Sequence, residues 1–156
     1  MRTREGLVDS IVVTCATCRT KNEIGPEAEQ APRCSQCDTY LPWVTTACDL
    51  DFKTVADSSQ IAVCVGFWGT FAPASRILLP SLERIAAEYA GRLKLVRVNV
   101  EDGRRAQSKY EARMIPTTMV LWHGEEMARH TGALELPALR RWVDQALATI
   151  AFSDAG

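Results

Sequence analysis

Six cysteines carry most of the chemistry that this 156-residue sequence can offer: Cys15, Cys18, Cys34, Cys37, Cys48 and Cys64. Four of them form two C-x-x-C pairs, TCATCRT and RCSQCDT, with 15 residues between the pairs. A C-x-x-C turn sets two thiolates on one side of a tight knuckle. Two knuckles joined by a hairpin-length link can close a tetrahedron of sulfur around one ion. Zinc prefers that geometry at about 2.3 Å per sulfur, and the spacer falls within the range of zinc sites. The segment is too small to bury a core unaided, so the ion would contribute much of its folding energy. Two disulfides are the competing reading of the same four residues. The N-terminus, MRTREGLVDS, has no apolar leader, so the cytoplasm is the expected setting, where disulfides are uncommon. A closed four-sulfur site leaves no position for substrate. The expectation is therefore one structural zinc on Cys15, Cys18, Cys34 and Cys37.

Composition limits the alternatives. Hydrophobic residues at 47% and charged residues at 24% are the balance of a globular chain, not of a collagenous or disordered one. The first 44 residues hold 5 basic and 6 acidic groups, and the remainder holds 13 of each. Neither part has the basic excess of a nucleic-acid binder, so no nucleic-acid partner is expected. Around the knuckles, Arg19, Lys21 and Arg33 are offset by Glu23, Glu27, Glu29 and Asp38, as on a solvated or protein-contacting surface. The apolar run Ile61 to Trp68 is too short to span a bilayer, and no membrane partner is expected.

The elements that must position any site follow from periodicity. Trp43 to Ala47 reads as a strand, and Asp49 or Asp51 could cap a short helix to about Ala56. The continuous run IAVCVGFW, 61–68, reads as a strand buried on both faces. From Ala74 to Tyr89, Leu78, Leu82, Ile85 and Tyr89 recur at helical spacing, with Pro80 inside and Gly91 as the stop. Leu93 to Val100 is a strand, Asp102 to Ala112 a helix and Thr117 to Trp122 a strand. A turn at His123-Gly124 leads into Met127 to Thr131. Leu136 to Ile150 is a final amphipathic helix. The order predicts an α/β fold with a central mixed sheet flanked by helices.

With those elements placed, the chain resembles the thioredoxin family, and within it the bacterial type with an N-terminal zinc ribbon. The landmarks are Phe67-Trp68 ending the central strand, Pro80 in the following helix, Ile115-Pro116-Thr117, Gly124, and the pair Gly132-Ala133. The resemblance implies a thioredoxin fold with a four-cysteine zinc ribbon, divided into residues 1–42 (ribbon) and 43–156 (thioredoxin-like domain). It also implies a cis peptide at Pro116, with the backbone of Ile115 presented to an extended segment of a protein client. Phe71, Pro73, Ile115, Pro116, Gly132 and Ala133 would then form a partner-binding patch.

The resemblance also exposes a departure. The family's active-site loop reads W-C-G-P-C-K, and the aligned residues here are Phe71-Ala72-Pro73-Ala74-Ser75-Arg76. Ala72 stands at the nucleophilic position and Ser75 at the resolving one. Dithiol exchange needs a thiolate to attack and a second thiol to resolve, and neither alanine nor serine can serve. The family's buried aspartate aligns with Gly66, and a lysine that often accompanies it aligns with Arg97. The expectation is a thioredoxin-like zinc protein without dithiol activity, binding a protein partner through the former client face. The alternative is a protein-disulfide reductase whose loop cysteines have been substituted, with an NADPH-dependent thioredoxin reductase as its partner. Cys64, inside the buried strand, reads as an apolar filler, and Cys48 is too remote to pair with it. His123 and His130 read as hairpin residues and Trp68 as a structural ring under the loop.

Overall fold

A computed structural model describes residues 11–25 and 30–155. Two short antiparallel strands, β1 (Ile11–Thr14) and β2 (Lys21–Ile24), carry the first knuckle between them. The main body has the order β3 (Trp43–Ala47), a π-helical turn (Lys53–Asp57), β4 (Ala62–Trp68), α1 (Ala74–Glu88), β5 (Leu93–Asn99), α2 (Arg104–Lys109), β6 (Thr117–Trp122), β7 (Glu125–Thr131) and α3 (Leu136–Ala155). The sheet order is β3-β5-β4-β6-β7. The first three strands run parallel, and β6 and β7 are antiparallel to their neighbours.

The unbroken apolar run of β4 has a simple cause: it is the central strand, with a helical layer on each face. One face packs Val63, Val65 and Phe67 with Val96, Val98, Met119 and Leu121 under the π-helical turn and α2. The other packs Ala62 and Cys64 with Leu93, Leu95 and Val120 under α1 and α3. Leu78, Leu82 and Ile85 form the buried stripe of α1, and Pro80 sits on its outer side. Past α1, Gly91 takes a φ of +86°, which closes the turn where the Leu93 amide donates to the Tyr89 carbonyl at 3.0 Å.

The structure changes some expected boundaries. The helix foreseen over 102–112 is the shorter α2, and α3 runs past Ile150 to Ala155. The segment after β3 is a π-helical turn, not a helix begun by Asp49 or Asp51. Asp49 instead caps α2, accepting from the amides of Arg105 (2.9 Å) and Ala106 (3.1 Å). Asp51 accepts from the Cys48 amide at 2.9 Å. No described helix is long and apolar enough to cross a membrane.

Candidate metal centre and loop face

The two C-x-x-C segments fold the same way. In each, the amide one residue past the second cysteine donates back to the carbonyl of the first: Arg19 to Cys15 at 2.8 Å, Asp38 to Cys34 at 2.9 Å. Both of those residues are left-handed, with φ of +68° and +66°. The amide of the first cysteine donates to a threonine carbonyl, Cys15 to Thr20 and Cys34 to Thr39, and the second thiol lies 3.2 Å from the same threonine's hydroxyl. The repeat places all four sulfurs within 4.8 Å of one another. Cys15 and Cys37 are separated by 3.6 Å and Cys18 and Cys34 by 3.5 Å. A disulfide needs about 2.05 Å, so these are free thiols. A tetrahedron with bonds of about 2.3 Å has edges of about 3.8 Å, which the observed separations approach. The donor set and its spacing therefore suit a metal ion of the zinc type.

Local donors prepare the sulfurs. The Cys37 and Gln36 amides, burial notwithstanding, hold the Cys34 thiol down to about 6, and the Cys18 amide lowers Cys15. Cys37 moves the other way: Thr39 favours its thiolate, but burial and the thiols of Cys15 and Cys18 outweigh it. Asn22, buried, ties the knuckles together. Its amide nitrogen lies 3.5 Å from Cys34 Sγ and donates to the Thr20 carbonyl, and its oxygen accepts from the Ser35 amide at 2.9 Å. Sequence reading missed Asn22. The repeated threonine two places after each pair is visible in the sequence and was the available signal for the duplicated knuckle.

The second region is the loop between β4 and α1. Ser75 is buried and its hydroxyl accepts from the Gly69 amide at 3.3 Å. Ala72 is half-buried and its carbonyl accepts from the Ser75 amide at 2.9 Å. Phe71 is 64% exposed, and its ring lies across Gly69, where a Cβ would stand 2.4 Å from Phe71 Cε2. Pro73 is exposed at the start of α1. The Ile115–Pro116 peptide is cis, and the Pro116 carbonyl accepts from the Gly132 amide at 2.8 Å. Ile115 is half-buried against one core layer and Ala133 against the other. The structure thus joins Pro116 directly to Gly132, and Phe71 to Gly69.

Beneath this loop, Gly66 pairs with Arg97 on β5 and with Thr118 on β6, and Thr46 and His130 extend the row. Arg97 turns its guanidinium to Glu83 (2.7 Å) and Thr46 (3.3 Å). Among the described residues, three buried side-chain polar atoms lack a partner: Trp68 Nε1, Arg97 Nε and Thr118 Oγ1. All three belong to strands that meet at this end of the sheet. The space a side chain at Gly66 would need is filled from α1, where Leu82 Cδ1 lies 2.7 Å from the position of its Cβ.

The remaining candidates are quiet. Cys64 is fully buried and its thiol is pushed up to about 12, as for an inert filler. Cys48 lies past β3, and β5 separates β3 from β4. Two strand spacings, about 9.5 Å, exceed what a disulfide spans. His123 has φ +52° in the hairpin turn and packs its ring on Trp122 at 4.2 Å.

Comparison with known proteins agrees with this geometry. The thioredoxin family model matches residues 43–145. A thioredoxin of Haemophilus influenzae is 31% identical over 97 residues, 62% of this chain and 91% of its own. Thioredoxin 1 of a Nostoc species is 30% identical over 99 residues, 64% of this chain and 92% of its own. Thioredoxin C-3 of Corynebacterium nephridii is 26% identical over 141 residues, 88% of this chain and 96% of its own, so that match reaches into the segment ahead of Trp43. The chain belongs to the thioredoxin family.

Proposed function

We propose that this protein is a cytoplasmic, non-catalytic member of its family that captures protein partners on the face formed by Phe71, Pro73, Ile115, Pro116, Gly132 and Ala133. Residues 1–42 form a ribbon that holds one structural zinc on Cys15, Cys18, Cys34 and Cys37, and residues 43–156 form the binding domain. One observation carries the reading: the loop has Ala72 and Ser75 where exchange chemistry requires two thiols. The filling of the space over Gly66 by Leu82 supports it, because that space is where the family's buried acid would sit. The aromatic ring of Phe71, 64% exposed, offers an apolar contact that suits an extended peptide whose side chains alternate.

The test is reduction of insulin disulfides. The chain as it stands should precipitate insulin no faster than a protein-free control. The second reading is a protein-disulfide reductase whose loop cysteines have been replaced. The names of the relatives favour it, since they are called thioredoxins. Its test is the double variant Ala72→Cys, Ser75→Cys. Activity near that of an ordinary thioredoxin, supported by a thioredoxin reductase and NADPH, would establish the second reading. A folded double variant that stays slow supports the first.

A further inference from the structure

The cysteine module touches the main domain at Gly91. A Cβ built on Gly91 would lie 2.6 Å from Tyr40 Cδ2 and 2.7 Å from Cγ, so the Tyr40 ring rests on the bare backbone of the turn after α1. The φ of +86° at Gly91 favours glycine for a second reason. Tyr40 lies three residues past Cys37, and its partner across the knuckle is Arg33, the residue before Cys34. The two form an antiparallel bridge. The Arg33 guanidinium donates to the Tyr40 hydroxyl at 2.7 Å and lies 4.5 Å from the ring centroid. It also pairs with Asp38 at 3.2 Å, the left-handed residue that closes the knuckle. Both flanks of the second C-x-x-C pair therefore hold the ring. Leu41, next in sequence, is buried in the cluster formed by the cysteines.

On the other side of Gly91, the Arg92 and Leu93 amides donate to the Tyr89 carbonyl, and the Tyr89 hydroxyl donates to Asp144 of α3. Glu88 pairs with Arg140 of α3 at 2.7 Å. A cavity of about 250 Å³ lies beside the contact, between Arg33, Tyr40, Trp43, Ile61 and Gly91. The contact at Gly91 depends on a ring whose position is fixed by a knuckle.

We propose that Tyr40 is a latch that couples metal occupancy of the four cysteines to the turn at 89–93. This rests on reading the cysteines as a metal site. With the ion bound, the second knuckle is closed and the ring is seated on Gly91. Without it, a module this small has little core of its own to hold the knuckle shut. The ring then leaves Gly91 and the turn opens more often.

Hydrogen exchange of the Arg92 and Leu93 amides in the full chain tests this, with the zinc-to-protein ratio measured alongside. Removing zinc with a chelator should speed exchange at those amides about tenfold. Zinc-loaded Tyr40→Ala should already exchange fast there and change no further on chelation. Tyr40→Phe keeps the ring and should behave as the parent does. Arg33→Ala loosens the ring without touching the cysteines and should shrink the metal-dependent change. A parent chain that binds one zinc yet shows no change at these amides on chelation overturns the latch. So does a Tyr40→Ala protein that keeps the full metal-dependent change. A chain that takes up no zinc overturns the metal reading and the latch with it, and the measured ratio separates that outcome from the others.

Discussion

Leu82 occupies the space above Gly66, with its Cδ1 2.7 Å from where a Cβ would stand. The glycine on the central strand and the leucine on α1 are complementary, so neither can be changed alone without cost. Gly66→Ala should destabilise the protein by about 1–3 kcal/mol through overpacking. Gly66→Asp should cost more, since the carboxylate also enters the core. Leu82→Ala opens the space, so the loss from Gly66→Asp should be smaller in that background. Urea unfolding of the two singles and the double measures the coupling, and strictly additive losses would refute the pairing.

The cysteines should divide into three classes by accessibility. If the protein carries zinc as proposed, a thiol reagent should titrate Cys48 alone in the native state, because the four clustered sulfurs would be ligated and Cys64 is buried. After chelation five thiols should react, and after unfolding all six. Detection of four protected thiols that no chelator releases would point to disulfides instead.

Asn22 bridges the two knuckles through Cys34, Ser35 and Thr20. Asn22→Ala should weaken zinc binding by about 10–100-fold, as loss of an outer partner commonly does. Competition with a chromogenic chelator reads this directly, and an unchanged affinity would reduce Asn22 to packing.

Lys94 should make stability depend on alkaline pH. Its ammonium donates to the Val55 carbonyl at 2.7 Å and lies 4.3 Å from the Trp43 ring centroid. Burial pushes it down to about 8, with Asp51 acting weakly against that. An unfolded lysine titrates near 10.4. Between those values Lys94 binds its proton more readily in the unfolded chain, so its contribution to stability should rise from about pH 8 toward pH 10. Above that, Tyr89, pushed up to about 12 by burial and Asp144, keeps its proton only when folded, and stability should fall. Cys64, pushed up to about 12 by burial, loses its proton first in the unfolded chain and opposes Lys94 between about pH 8 and pH 10. Thermal unfolding from pH 7 to pH 10 should therefore show the parent gaining stability relative to Lys94→Met above pH 8, and a constant difference would refute the assignment.

Asp49 should be worth a helix cap. Asp49→Ala removes the acceptor for Arg105 and Ala106 at the start of α2 and should cost about 1 kcal/mol. Asp51→Ala, which loses one local bond to Cys48, should cost less.

The parts of this molecule that were legible in the sequence are those governed by local pattern. The run over 62–68, the stripe of Leu78, Leu82 and Ile85, and the paired cysteines each announce themselves within a few residues. What was not legible depends on distant partners. Asp49 carries a capping residue's chemistry, but the helix it caps begins more than 50 residues later. Gly66 alone reads as a missing side chain, and only α1 packed on the sheet shows that Leu82 has taken its place. Tyr40 reads as an ordinary exposed aromatic until Gly91 is seen beneath it. The shortened α2 ends where Glu111 turns left-handed, with φ +52°, and the Ala112 amide donates back to the Gln107 carbonyl at 3.0 Å.

The loop over 69–76 contains no sulfur, and this fixes how long it can hold anything. A thiol-bearing loop can trap its target through a covalent intermediate whose lifetime depends on a second chemical step. Under the proposed function every capture on this face would be reversible, with a residence time set by dissociation alone. Such a surface would need no recharging by an electron donor between encounters. It would respond to the shape of a segment and not to whether that segment carries a disulfide.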